Sequence, residues 1–190
     1  VSHGWTPVSE PMLVTDSRET QLRSLDDRPA MKVYLDFLQP PQEVRDNPLA
    51  FADFAATHPI GIRRRDRIEM RHITGFDAES GSLLMIAEVP QGGLAFLTEG
   101  DFNSVLGAAA QSTEAALAAL ENTPPVGLLL FDCVSRRSVF SEARVQEETD
   151  LIAQCSGGIP MAGFYTYGEI ARTRGSGGFH NQTLVTLAIG

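Results

Sequence analysis

Residues 126–133, VGLLLFDC, constrain this chain more than any other stretch. The run is apolar with little alternation, the pattern of a central strand covered on both faces rather than of a surface strand. Pro124 and Pro125 separate it from the longest helical pattern, residues 102–120. There Phe102, Val105, Leu106, Ala109, Thr113, Ala116, Leu117 and Leu120 keep a helical spacing behind Asp101, a cap residue. After the strand comes a second helix, expected over 142–154, with Glu142, Glu147, Glu148 and Asp150 on an acidic outer face. Gly157 and Gly158 end it. A strand set between two helices requires a sheet with helices packed against it. Asp132, Cys133, Arg136 and Arg137 then collect at the strand's end, a common ligand position in layered α/β arrangements.

The residues before this core read as short strands and short helices. Residues 12–15 and 21–25 are strand-like and joined by a polar turn. Asp27 followed by Pro29 predicts a helix start, with Met31, Tyr34, Leu35 and Leu38 on the apolar face and Pro40 and Pro41 as the stop. Residues 42–48 read as a loop, and 49–57 as a helix with Phe51, Phe54 and Ala55 inward. Residues 60–75, 83–89 and 94–97 form a series of strands broken by turns, which predicts an antiparallel meander. Within it Ile68, Met70 and His72 share one face at period two, so His72 is read as a hydrogen-bonded core histidine. Arg63, Arg64, Arg65 and Arg67 form a local basic run, read as a solvated strand end. The fold class expected is α+β: an antiparallel or mixed sheet with helices on one face, in the order ββααββββαβαββ.

Residues 162–183, AGFYTYGEIARTRGSGGFHNQT, carry the densest set of chemically useful side chains. A strand over 164–170, a glycine-rich loop around Gly175, Gly177 and Gly178, and an apolar last strand over 183–189 are expected. Strand alternation puts Tyr165, Tyr167 and Glu169 on one face. The candidate ligand-binding residues are Tyr165, Tyr167, Glu169, His180 and Asn181 from this stretch, with Arg136 and Cys133 from the end of the preceding strand. Glu169 suits an ammonium, Arg136 or Arg172 a carboxylate, and Asn181 and Thr183 orientation. The plainer reading is a hairpin whose Tyr and Asn side chains satisfy local backbone and whose Glu169 pairs with Arg172 or Arg174.

Composition excludes several classes. The 190 residues carry a formal net charge of −9, which opposes binding to nucleic acid or to an anionic membrane surface. No apolar run approaches the roughly 18 residues of a spanning helix, and no signal-peptide pattern opens the chain. Cys133 and Cys155 form no C-x-x-C, so reduced cytoplasmic thiols are expected and covalent c-type haem attachment is not. There is no H-E-x-x-H and no cysteine quartet for zinc. The GSGG at 175–178 lacks a Lys-Ser/Thr partner and does not open a helix, so it is no phosphate loop. A Cys133–His180 nucleophile pair lacks a glycine elbow or ordered triad, and no enzyme is expected.

FYTYGEI at 164–170, then a glycine-rich gap and FHNQT at 179–183, resembles the C-terminal signature of the FIST family, the F-box and intracellular signal transduction proteins. SHGWTPV at 2–8, DDRPAMKVY at 26–34 and LLLFDCVSRR at 128–137 agree with it in order. The resemblance implies that residues 1–28 are the end of the N-terminal FIST region with a connecting hairpin and that 29–190 are the C-terminal FIST domain. An upstream domain is expected before Val1, packed on the sheet's other face. It also implies a cytoplasmic sensory domain that binds a small, amino-acid-like molecule and relays the signal to a partner such as a kinase, cyclase or chemoreceptor module. Two alternatives come with it: a haem-binding nitric oxide sensor with His180 as axial ligand (His72, His58 or Cys133 behind it), and a non-catalytic protein-interaction scaffold.

Overall fold

The computed structural model describes residues 1–65, 67–140, 144–173 and 176–190. The expected helix start at Glu142 lies outside the described residues, as do Arg174 and Gly175 of the expected loop. The chain packs as two compact units, Trp5–Glu99, and Gly100–Gly190 joined by Val1–Gly4.

The first unit is built on an antiparallel sheet. Its elements are β1 (Thr6–Pro7), β2 (Met12–Arg18), β3 (Gln21–Leu25), β4 (Arg28–Pro29), α1 (Ala30–Leu38), α2 (Gln42–Asp46), α3 (Pro48–Thr57), β5 (Ile60–Arg64), β6 (Arg67–Arg71), β7 (Ile73–Asp77), β8 (Ser82–Met85) and β9 (Leu94–Glu99). The main path runs β6-β5-β9-β2-β3-β8-β7, with β1 on β9 and β4 on β3. Tyr34, Phe51, Leu22, Ile60, Ile62 and Leu97 are fully buried in one core between helices and sheet. Tyr34 satisfies its hydroxyl there by donating to the His58 carbonyl at 2.9 Å.

Three local expectations are corrected. Asp27 does not cap α1: it has a left-handed φ of 61°, and Pro29 stands at the N-cap with no side-chain bond. Residues 42–46 form the short helix α2 instead of a loop, because Pro41 sets its entrance and Val44 is buried. His72 lies between β6 and β7, half-buried, and not in strand register with Met70. Burial lowers its pKa. His58 ends α3, stacked on Phe54 with centroids 4.0 Å apart. Arg64 and Arg67 of the basic run, with Arg71 beyond it, gather around the buried Glu69.

The second unit contains α4 (Phe102–Ala118), β10 (Gly127–Cys133), α5 (Val134–Arg137), α6 (Val145–Cys155), β11 (Met161–Thr166), β12 (Glu169–Thr173), β13 (Ser176–His180) and β14 (Leu184–Ile189). Asp101 caps α4 as expected, in a capping box with Ser104. α6 is the crossover between β10 and β11, which pair in parallel. β14 pairs antiparallel on the other side of β10, giving the order β11-β10-β14. Leu128, Leu184, Ala109 and Ile152 form the core between this sheet and the helices. Small Ala108 and Ala109 bring α4 close, and Ser112 donates to the Leu184 carbonyl at 3.0 Å.

β10 is central, but it is not covered on both faces. Leu129, Phe164 and Leu187, one from each strand of this sheet, are 37%, 65% and 52% exposed. The apolar run therefore reports a strand whose second face is apolar and open. Periodicity alone cannot distinguish that from burial, since both faces are hydrophobic in either case.

In the first unit, Phe51→Ala is expected to cost about 3–5 kcal/mol by loss of a buried aromatic side chain. Tyr34→Phe is expected to cost only about 1 kcal/mol by leaving a carbonyl without its donor. Urea unfolding of the two variants checks the order, and equal losses would contradict the packing described.

Candidate functional site

The parallel pairing of β10 with β11 and the antiparallel return of β14 bring three chain segments to one end of the sheet. Asp132 lies in register with Tyr165 and Leu184, and Cys133 with Thr166. The Cys133 amide donates to the Thr183 carbonyl at 3.1 Å, which ties the turn before β14 to the end of β10. β12 and β13 form a hairpin in which Glu169 pairs with His180. Glu169, His180, Asn181 and Thr183 thus arrive beside Asp132, Cys133 and Thr166.

Arg136 sits in the middle and is fully buried. Its Nε donates to Asp132 Oδ1 at 2.7 Å. Nη2 donates to Glu148 Oε1 of α6 and to the Val105 carbonyl of α4, the latter at 3.4 Å. Nη1 is buried with no hydrogen-bond partner. A buried guanidinium with a spare donor edge is costly and marks a specialised position.

A second polar group stands next to it. Thr166 and Thr183 donate their hydroxyls to the two oxygens of Glu169, at 2.5 and 2.7 Å. The Cys133 Sγ and Ser135 Oγ are 2.9 Å apart. Asn181 donates to the His180 carbonyl at 3.0 Å, while its own Oδ1 is buried without a partner. Burial raises the Glu169 pKa, against the hydroxyl and thiol hydrogen bonds that lower it. Burial, then the charge of Glu169, raises the Cys133 pKa, so Cys133 is held as a thiol. Asp132 is pushed up to about 7, first by burial and also by Glu148, against the pull of Arg136. Tyr165 is raised by burial and by Asp132.

Five expected residues, Arg136, Cys133, Glu169, His180 and Asn181, are buried at this end. Tyr165 lies at its rim, 41% exposed, with the Arg137 guanidinium 5.5 Å from its ring centre. Tyr167 does not join them and is 79% exposed. The expected single strand over 164–170 is broken there: β11 stops at Thr166 and β12 starts at Glu169. Gly168 makes the break at φ 136°, a conformation open to glycine. Alternation across 165, 167 and 169 therefore does not apply. Glu169 takes hydroxyl partners; the side chain of Arg172, and Arg174 altogether, lie outside what is described.

Sequence reasoning missed Glu148, which was expected on the acidic outer face but turns inward to Arg136. Its spacing of four from buried Ile152 was the available signal. Asp132 with Arg136 at i, i+4, and Thr166 as a Glu169 partner, were also readable only once the topology was known. His180 fits an axial haem ligand poorly. It is 4% exposed, and its Nε2 stands 3.3 Å from the Ala171 carbonyl inside the hairpin. Among the described residues, no group of three or more His, Cys, Asp or Glu is placed to hold a metal ion.

A methyl group at Gly168 would run into the Phe179 ring as well as require an unfavourable φ. Gly168→Ala is expected to destabilise by at least about 2 kcal/mol from overpacking and backbone strain together. Adding Phe179→Ala should restore only the part due to the clash. Chemical unfolding of the single and double variants checks this, and a neutral Gly168→Ala would contradict the close approach.

The FIST C domain family model matches residues 30–172. Two uncharacterized proteins of Mycobacterium tuberculosis, from strains CDC 1551 and H37Rv, are each 28% identical to the chain over 188 residues. That alignment covers 96% of this chain and 48% of each relative, so the chain spans about half their length. No solved structure matches the chain. No helix among the described residues is long and apolar enough to cross a membrane. The family model takes in the first unit from α1 onward and the second as far as β12, which includes Asp132, Arg136, Glu148 and Glu169, and on that match the chain belongs to the FIST C domain family.

Proposed function

We propose that this chain is a cytoplasmic sensory domain without catalytic activity of its own. It binds a small, amino-acid-like molecule at the ends of β10 and β11 and relays binding to a signalling partner or linked module. The observation that carries this reading is the unpartnered Arg136 Nη1, buried at the end of a parallel strand pair. An unpartnered Asn181 Oδ1 in the same strand-end cluster supports it. Packing alone does not need such groups, because a buried polar atom without a partner costs free energy. Tyr165 and Arg137 form the accessible rim, one offering an aromatic face and hydroxyl, the other a charge for a carboxylate. The relay is a population shift and requires the ligand to favour one conformation over another.

A second reading, a non-catalytic protein-interaction module, is favoured by the open apolar face of the β11-β10-β14 sheet. The haem reading is the weakest of the three, because the His180 Nε2 faces a backbone carbonyl.

Thermal unfolding against amino acids, other small metabolites and haem tests these readings, with Tyr165→Ala as the control. A ligand at about 100 times its Kd adds about 2.7 kcal/mol, a rise of several degrees. A rise with an amino acid that Tyr165→Ala abolishes supports the sensor. A rise with haem alone, accompanied by its absorption band, supports the gas sensor instead. No rise with any of them overturns the sensor reading in favour of the interaction module.

A further inference from the structure

Asp132 and Glu148 belong to different elements, β10 and α6, yet both carboxyl groups meet the guanidinium of Arg136. Asp132 accepts from Nε and Glu148 from Nη2, so the two carboxyl groups converge on one guanidinium. An ionised carboxylate has only acceptor atoms, so two carboxyl groups gathered on one guanidinium repel each other less when one of them holds a proton. The charge balance agrees. Asp132 and Glu148 are 8% and 7% exposed, and one buried arginine offsets only one of their two charges.

The described groups that face the pair come from every side. Arg136 comes from α5 and Tyr165 from β11 with Arg137 over its ring, and Glu169 of β12 lies within electrostatic reach of Arg136. α4 presents the Val105 carbonyl, and β14 sets Leu184 opposite Asp132. Arg137 is exposed over Tyr165, and the buried Glu169 is bonded to Thr166 and Thr183. Among the described residues, the pair therefore has one buried cation, Arg136, and a further one, Arg137, only at the rim.

We propose that Asp132 and Glu148 share one proton on Arg136, as a proton-operated catch between β10 and α6. With the proton in place, the two carboxyl groups and the guanidinium hold α6 against the strand end. Without it, two bare carboxylates oppose each other and the hold on α6 loosens. The proton belongs to the pair and not to either residue. This goes beyond the ligand reading and does not depend on it.

The raised pKa of Asp132 supports the catch and sets its pH window. The folded chain holds the proton to about pH 7, whereas the unfolded aspartate releases it near its ordinary 3.8. The stabilisation is therefore complete below the unfolded value and is lost as pH rises through about 7.

The test is the unfolding temperature of the whole chain, without added ligand, from about pH 5 to about pH 8. The expected result is a fall with rising pH for the native chain. In Asp132→Asn an amide N–H replaces the shared proton, so the fall should largely disappear and the variant should be the more stable one at the upper end. Parallel curves would overturn the catch, since Glu169 and the other carboxylates are common to both chains. A carbon-13 NMR titration of the Asp132 and Glu148 carboxyls in the native chain decides the matter should Asp132→Asn fail to fold. A midpoint near neutral pH in either supports the catch, and both carboxyls fully ionised at about pH 5 refute it.

Discussion

The second unit depends on burying Arg136. Its guanidinium reaches the end of β10 through Asp132, α6 through Glu148 and the first turns of α4 through the Val105 carbonyl. No apolar side chain could tie three elements with directional bonds in this way. The arrangement is stabilising only while the partners stay in place, because a buried charge stripped of one partner costs several kcal/mol, on the order of 3–5. It fixes α6 on one edge of the polar cluster and leaves Nη1 without a protein partner. Fold and candidate site therefore share one residue.

The two faces of the β11-β10-β14 sheet differ in kind. One is packed against the helices and ends in the Arg136 cluster. The other carries Leu129, Phe164 and Leu187 toward solvent. Under the proposed sensory reading, the first would take the small molecule and the second would face a partner. The first unit supplies a separately packed antiparallel sheet with its own aromatic core around Tyr34 and Phe51. The family model runs across both units, so neither is by itself the family's domain.

Much of this was legible in the sequence where one local rule dominated. Asp101 before an alanine-rich helical spacing gave α4, and turn residues between short apolar runs gave antiparallel strands, but not the expected meander: β6 and β7 stand at opposite ends of the sheet path and β8 does not neighbour β9. The α+β class followed from these. Sequence reasoning failed where tertiary contacts overrode the local pattern. Glu148 looked like part of a solvated acidic stripe until Arg136 came to face it. Tyr167 seemed to alternate with Tyr165 because strand periodicity was carried across Gly168, which breaks the strand. The run at 126–133 looked buried on both sides because an open apolar face and a covered one have the same composition. For the site, the residue types around the end of β10 and in the 162–183 stretch were enough to nominate Arg136, Cys133, Glu169, His180 and Asn181. Their partners Thr166 and Glu148 were not nominated: the spacing of Glu148 from Ile152 hinted at an inward face, but which groups they meet is set by the topology.

The most direct measurement is a map of backbone amide NMR shifts as the chain is titrated with a pool of free amino acids. The account predicts changes concentrated at Asp132–Arg137, around Tyr165 and Glu169, and at His180–Thr183. Changes confined to the open face around Phe164 and Leu187, or no change at saturating concentration, would contradict it.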